Sequence, residues 1–495
     1  MLSKDLEGPL LSLSGNGDWT KTVFIGNWRK APDMLEVLEP ATGESLVCVG
    51  AAVPASIAVA CEAAQAAQPA WASEEPAARA HVLNRVADLL QEHRAEIARW
   101  IVRETGSIEP KAQYEIGASI DEARHAAALV YHSKGEVLHS SAPDALSTAR
   151  RIPIGTVGVI TPWNVPLALA FRSLAPAIAV GNAAILKPDP HTPVSGGIIV
   201  AKLFEAAGLP SGVLSVLPGG ADVGAALVEH PGIQMITFTG STAVGRKVGE
   251  VAGRQLKRVA LELGGNSPMI ILDDVDLTAA ASCGAFGSFN HQGQVCMATG
   301  RHIVLKSVAE EYAAILAQKA AHLPVGNPAT DQVALGPIIN ARQLQKIASI
   351  VEDSVAAGAK LLAGGKANGP FYPPTVLMDV KPGMPAFDQE IFGPVAPIIV
   401  AEDEDHAVEL ANASAYGLAA AVQTGNMGRG MRLGQRLKSG MVHINDQTIA
   451  DFPQVPMGGV GVSGNLSRFG AVNNVEEFTT WQWMTMRENP APYPF

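Results

Sequence analysis

The chain has 495 residues, 47% apolar and 17% charged, with a net charge of −11 spread along its length. That length is enough for two or three domains, and a charged share below the roughly 25% of average globular proteins hints at surface hidden in an oligomer. No basic run marks a nucleic-acid surface, and four cysteines (Cys48, Cys61, Cys283, Cys296) neither build a disulfide framework nor match a metal-ligand spacing.

The opening stretch, MLSKDLEGPLLSLSGNGDW, lacks a basic segment followed by a long apolar one, so no secretory signal is expected. Free thiols then fit a reducing, cytoplasmic setting. Residues 81–103 carry Leu83, Val86, Leu90, Ile97 and Ile101 at helical spacing. Residues 152–171 are uncharged, but Pro153, Pro162, Pro166, Gly155, Gly158 and Asn164 rule out one helix in lipid. No membrane partner is expected.

From about residue 155 short apolar runs alternate with helical segments. Strands are expected at Thr156–Ile160, Ala183–Leu186, Val213–Leu217, Met235–Thr239, Val259–Leu263 and Met269–Leu272. Helices are expected between them near 166–180, 195–207, 222–229 and 243–252. This alternation predicts a parallel sheet with helices on both faces, which binds ligands at the carboxyl ends of its strands. A second set follows: helix 277–287, strand 302–306, helix 308–322, then a Gly/Pro-rich stretch at 364–374 and strands near 395–400 and 419–423. The division between the two sets falls near 262–268. The tail after 475, with Phe478, Trp481 and Trp483, reads as an added strand.

Five short motifs sit where this fold would place chemistry. Phe238, Gly240, Ser241 and Gly245 form a strand-to-helix turn whose free amides could meet a pyrophosphate. Lys187 ends a buried strand. Asn164, between two prolines, is a rigid amide suited to an oxyanion. Glu262 has apolar neighbours that would raise its pKa toward use as a base. Cys296 follows Gly293 in a polar loop where a thiolate would be nucleophilic. Taken singly, each has a plain structural reading: a turn, a snorkelling lysine, a turn asparagine, a paired glutamate, a core cysteine. Their order along one chain is what does not look like chance.

With Pro-Ala-Thr-Gly-Glu (40–44), Glu-Ile-Phe-Gly-Pro (390–394) and Pro-Met-Gly-Gly-Val-Gly-Val-Ser-Gly (456–464), these motifs make the chain resemble the aldehyde dehydrogenase superfamily over nearly its whole length. The resemblance implies an α/β fold. Its expected units are a Rossmann-type dinucleotide-binding domain (1–135 and 153–262), a catalytic domain (263–440) and a small β oligomerisation arm (136–152 and 470–495). It also implies roles. Cys296 would add to the aldehyde, Asn164 and the Cys296 amide would hold the oxyanion, and Glu262 would activate water to hydrolyse the thioester left after hydride transfer. Thr161, Pro162, Trp163, Lys187, Asp189, Gly220, Phe238, Gly240, Ser241, Leu263, Glu390 and Phe392 would contact the cofactor. No metal is implied, and a homodimer or homotetramer is.

Two positions depart from the family pattern. The glutamate commonly found three residues after the matching lysine is Pro190, with Asp189 beside it, so NAD is the expected cofactor while NADP stays open. The usual Phe-Gly-Gly-x-Lys near the C-terminus is Met457-Gly458-Gly459-Val460-Gly461. Lys-Pro-Asp-Pro-His-Thr-Pro (187–193), Cys-Met-Ala-Thr-Gly-Arg-His (296–302), Asn-Asp-Gln-Thr (445–448) and Gly-Asn-Leu-Ser-Arg-Phe-Gly (464–470) resemble the benzaldehyde and vanillin dehydrogenase branch. An aromatic aldehyde is therefore the expected substrate. Val165, Leu169, Arg172, Val295, Met297, Ile449 and Phe452 would form its pocket, with Arg172 facing either a ring substituent or an ion-pair partner. An enzyme of aliphatic or broad specificity, a coenzyme A-acylating enzyme and a non-enzymatic scaffold are the alternatives, and retention of Glu262 with Cys296 argues against the last two.

Overall fold

Short β-branched runs, each followed by a helix with one apolar face, fold here into two helix-covered sheets. The computed structural model describes residues 6–12, 19–491 and 493–494, so the extreme ends of the expected units, and most of the opening stretch, lie outside the described residues. The first strands in chain order are β1 (Thr22–Ile25), β2 (Trp28–Lys30), β3 (Asp33–Leu38), β4 (Ser45–Ala51), β5 (Gly135–Leu138) and β6 (Ala145–Pro153). Then come β7 (Thr156–Ile160), β8 (Ala183–Lys187), β9 (Leu214–Val216), β10 (Met235–Thr239) and β11 (Arg258–Glu262). The later ones are β12 (Ser267–Ile271), β13 (Thr299–Leu305), β14 (Lys360–Ala363), β15 (Thr375–Met378), β16 (Val395–Ala401), β17 (Ala419–Gln423), β18 (Met441–Ile444) and β19 (Thr479–Arg487). The strands expected from the sequence are all present, with ends shifted by up to three residues. The segment expected as a helix over 195–207 opens instead as a π-helical turn, Val194–Ile198, before the α-helix Ile199–Ala206.

The first sheet has the order β11-β10-β7-β8-β9-β1-β2, parallel from β11 to β9. The chain runs outward from β7 through β8 to β9, then crosses back to place β10 on the other side of β7. The switch lies between β7 and β10, where an open parallel sheet has its ligand crevice. In register, Ile160 faces Lys187 and Phe238, and Thr239 faces Glu262, so four neighbouring strands deliver their last residues to one edge. The second sheet, β14-β15-β16-β13-β12-β17-β18, is parallel apart from the β14–β15 pair. The chain leaves the first sheet at Glu262 and enters the second at Ser267. Arg301, 1% exposed, fastens the second sheet by donating to the carbonyls of Asn266, Leu410 and Ala411.

β19, β6 and β5 form a separate antiparallel sheet, with exposed Val137, Leu146, Trp481 and Trp483. The alternating tail does become a strand, but most of its residues are exposed rather than alternately buried. Among the described residues no helix is long and apolar enough to cross a membrane.

Buried carboxylates tie helices around the first sheet to one another, because the first N–H groups of a helix have no partner within it. Glu104 accepts from Val194 and Ser195 amides (2.9 and 2.7 Å), and Glu96 from Leu10 and Leu11 (2.9 and 3.1 Å). Glu115 accepts from the Leu167 amide (2.8 Å), at the start of the helix Pro166–Ala179 that follows Asn164. Lys111, also buried, donates to Glu115 (2.5 Å) and to the Asn164 carbonyl (2.8 Å). Removing one member leaves an unpaired buried charge. Glu115→Ala should therefore destabilise the protein by roughly 3–5 kcal/mol, read as a fall in the urea midpoint. Unchanged unfolding would show that the pair carries no structural role.

Candidate active site

A cavity of about 600 Å3 opens at the carboxyl edge of the first sheet and extends to the second. Lys187, Glu262 and the β10-to-helix turn come from strand ends of the first sheet, whereas Cys296, Glu390 and Phe392 come from loops of the second. Eleven of the twelve expected cofactor residues line it: Thr161, Pro162, Trp163, Lys187, Asp189, Phe238, Gly240, Ser241, Leu263, Glu390 and Phe392. Gly220 does not. It is the residue before the helix Ala221–Glu229, whose Ala221, Gly224, Ala225 and Val228 form the wall instead.

The loops meet because two residues have no side chain. A Cβ on Gly264 would lie 2.3 Å from a Glu390 carboxylate oxygen, and one on Gly265 would lie 2.3 Å from the Cys296 carbonyl oxygen. The Gly265 amide donates to the Glu390 carboxylate (3.0 Å). The Leu263 amide donates to the Ser463 carbonyl (2.9 Å), and the Ser463 hydroxyl accepts from the Gly417 amide (3.0 Å), so the 456–464 segment clasps the same crossing.

The loop that carries Cys296 is held against its own backbone preference. His291, Gln292 and Gly293 have φ of 50°, 55° and 64°, a left-handed run that costs on the order of 1–3 kcal/mol for each non-glycine residue. Side-chain amides oppose that strain. Gln292 donates to the Gly106 and Pro337 carbonyls (both 3.0 Å), and Gln294 accepts from the Ile339 amide (3.0 Å). Cys296 emerges from this loop partly exposed to the cavity. Asn164, buried, donates from its amide to the Gln294 carbonyl (2.8 Å), which fixes the amide plane beside the thiol. The Cys296 N–H is not claimed by any acceptor among the described residues.

Glu262 is 3% exposed, and neither carboxylate oxygen has a partner among the described residues. Burial raises its pKa well above the usual carboxylate value, against the pull of Arg172 and Arg468. Burial also pushes the Cys296 thiol up to about 12, with Glu390 and Glu262 adding to the rise and Arg172 opposing it. Arg172 is spent on an ion pair. Its guanidinium pairs with Asp451 and lies 3.5 Å from Glu122.

Of the seven expected pocket residues, Leu169 lines the cavity. Val295, Met297 and Ile449 belong to one apolar cluster with Cys296. Val165 is partly buried and Phe452 is 52% exposed, and neither lines the cavity. Gln343 and Lys346, on the helix Ala341–Ala356, were not anticipated. Lys346 donates to the Glu390 carbonyl (2.7 Å) and Gln343 to those of Ile391 and Phe392 (3.1 and 2.9 Å). Their only sequence signal is a place on the polar side of an amphipathic helix.

The far end of the cavity suits a dinucleotide. Ala225, Val228, Val248 and Val251, from two helices, form an apolar part of its lining. Ser241 caps the helix Thr242–Arg254 at a turn where anions are favoured. The Lys187 ammonium, on a side chain 6% exposed, makes no hydrogen bond or ion pair among the described residues. Trp163 and Phe392 meet edge to face at 5.5 Å across the cavity.

The aldehyde dehydrogenase family model matches residues 28–484, and the chain belongs to that family. Among its relatives, a vanillin dehydrogenase of Amycolatopsis sp. is 53% identical over 98% of this chain and 100% of its own length. An NAD(+) benzaldehyde dehydrogenase of Pseudomonas putida is 50% identical over 96% of this chain and 98% of its own. Among solved structures, a salicylaldehyde dehydrogenase from Pseudomonas putida G7 complexed with salicylaldehyde superposes with a TM-score of 0.92, at 33% identity over 96% of this chain and 99% of that one. A betaine aldehyde dehydrogenase from Staphylococcus aureus in complex with NAD+ gives 0.93, at 30% identity over 98% and 97%.

Gly265→Ala should push the Cys296 backbone out of place. A loss on the order of 10²-fold in kcat/KM is expected, with slower alkylation of Cys296 mapped by peptide mass. Wild-type rates would show that the close approach is not needed.

Proposed function

We propose that the protein oxidises an aromatic aldehyde to the carboxylic acid, with NAD as the hydride acceptor and a thioester on Cys296 as the covalent intermediate. The observation that carries this reading is the meeting of the Cys296 thiol, the Asn164 amide and the unpartnered Glu262 carboxylate in one cavity that continues to Lys187 and Glu390. The names and identities of the vanillin and benzaldehyde dehydrogenases support the aromatic class, as does the apolar cluster of Val295, Met297 and Ile449 beside the thiol.

In this reading the Cys296 sulfur adds to the aldehyde carbon as a thiolate. The oxyanion formed receives hydrogen bonds from the Cys296 N–H and the Asn164 amide, two donors already oriented before the charge develops. A bound nicotinamide supplies the hydride acceptor. Lys187 and Glu390 would hold the riboses, and Ser241 with the first turn of its helix the pyrophosphate. Glu262 takes a proton from water as the water attacks the thioester, and the acid leaves. Its raised pKa brings its proton affinity closer to that of the water and thiol it serves.

The same reading divides the chain into a dinucleotide-binding unit (1–135 and 153–262), a catalytic unit (263–440) and an arm (136–152 and 470–495). The first sheet, the second sheet and the exposed three-stranded sheet support that division. The apolar arm surface supports association into a homodimer or homotetramer. The four free cysteines are consistent with action in the cytoplasm.

The test is a panel of benzaldehyde, hydroxylated benzaldehydes and short aliphatic aldehydes, with acid and acyl-coenzyme A assayed as products. Preference for the aromatic members with acid as product is expected; coenzyme A-dependent turnover without acid overturns the reading. Glu262→Gln should lower kcat by roughly 10²–10⁴-fold and accumulate a single acyl adduct on Cys296 in intact-mass spectra. The pH dependence has a definite sign. Only the thiolate reacts with an alkylating agent, and a thiol pushed up to about 12 gains thiolate as pH rises. Alkylation of Cys296 in the cofactor-free protein should climb steadily through the neutral and mildly alkaline range without a plateau.

A further inference from the structure

Asn164 sits in a turn that cannot fasten itself. Pro162 and Pro166 fix two φ angles around it but bring no N–H, and the groups that hold the turn come from another element. The Asn164 carbonyl accepts from Lys111 Nζ at 2.8 Å, its only donor among the described residues. Beyond Pro166, Glu115 Oε1 accepts from the Leu167 and Ala168 amides at 2.8 and 3.4 Å. Lys111 and Glu115 stand one turn apart on the helix Glu109–Leu129 and meet at 2.5 Å. One ion pair thus grips the turn on both sides of its second proline.

Stability alone does not explain that pair. The Lys111 and Glu115 side chains are 6% and 0% exposed. Removing one member strands the other, yet replacing both members of a buried pair by uncharged groups is often neutral or stabilising, because desolvation offsets their attraction. The geometry that the pair imposes is the better account of it. Asn164 is 3% exposed, and its side-chain amide donates to the Gln294 carbonyl at 2.8 Å. That nitrogen makes no other bond among the described residues, so its second N–H is left for a ligand. With the carbonyl held by Lys111 and the amide by Gln294, the second N–H has one direction.

The thiol is held by other bonds. Gln292 and Gln294 fasten the Cys296 loop to Gly106, Pro337 and Ile339. The amide and the thiol can therefore be disturbed separately.

We propose that Lys111 is a positioning residue for the oxyanion: acting through the Asn164 carbonyl, with Glu115 as its counter-charge, it aims the second N–H of the Asn164 amide at the substrate oxygen. The assignment rests on the oxyanion role given to Asn164 in the preceding subsection.

Variants of the full-length protein, assayed with benzaldehyde and NAD, decide the matter. Lys111→Met combined with Glu115→Gln removes both charges, and the glutamine oxygen can still accept from the Leu167 amide. Its urea midpoint should stay near that of the wild type, while kcat/KM falls by about tenfold or more, as expected of a misplaced group. Asn164→Ala should lose roughly 10²–10³-fold. Adding the paired replacement to Asn164→Ala should lower the rate by less than about twofold more, since no amide is left to aim. Lys111→Arg, which keeps a donor and the charge, should retain most of the rate. Alkylation of Cys296 by iodoacetamide and the affinity for NAD should match the wild type in all of these, which a general loosening of the fold would not allow. A folded paired variant with wild-type kcat/KM, or a loss that recurs in full in the Asn164→Ala background, overturns the assignment. Asn164→Ala at the wild-type rate overturns the oxyanion reading itself.

Discussion

The site exists because backbone passes where a methyl group could not. Strand β11 ends on Glu262 and β12 begins at Ser267. Between them Gly264 and Gly265 admit the Glu390 carboxylate and the Cys296 carbonyl at distances no side chain would tolerate. Glu262 from one sheet and Cys296 from the other thus line one cavity. The Ser463 contacts close the same crossing from the C-terminal side, so three stretches remote in sequence depend on one pair of glycines.

Around that crossing the protein keeps charge in short supply. Burial lifts both the Cys296 thiol and the Glu262 carboxyl, which favours their neutral forms. Arg172 is the counterweight, since its charge opposes both rises, and Asp451 and Glu122 hold it in place. The left-handed run at His291–Gly293 and the amides of Gln292 and Gln294 form a second balance, in which local strain is held by bonds to distant backbone. Cys296 is positioned by its loop, and its thiol has no hydrogen-bond partner of its own among the described residues.

Much of this was legible in the sequence, for a physical reason. Strand ends and the turns after them are local: Asn164 between prolines, Lys187 after an apolar run and Gly240 before a helix each announce a backbone event within a few residues. What was not legible is tertiary. Arg172 meets Asp451 across 279 positions, and nothing near either residue distinguishes that ion pair from a contact with substrate. Glu104 and Glu115 read as ordinary helix charges until the amides of Val194 and Leu167 are seen to need them. Gly220, placed in the cofactor set by its position, stands just before the helix whose Ala221, Gly224, Ala225 and Val228 line the cavity.

Gln343 and Lys346 grip Glu390, Ile391 and Phe392 entirely through main-chain carbonyls. Those bonds do not depend on which side chains stand at 390–392, whereas the Gly265 amide holds the Glu390 carboxylate itself. A new side chain at Phe392 would keep the carbonyl bond to Gln343, so the display there can be redesigned, while one at Glu390 would unfasten the crossing at Gly265.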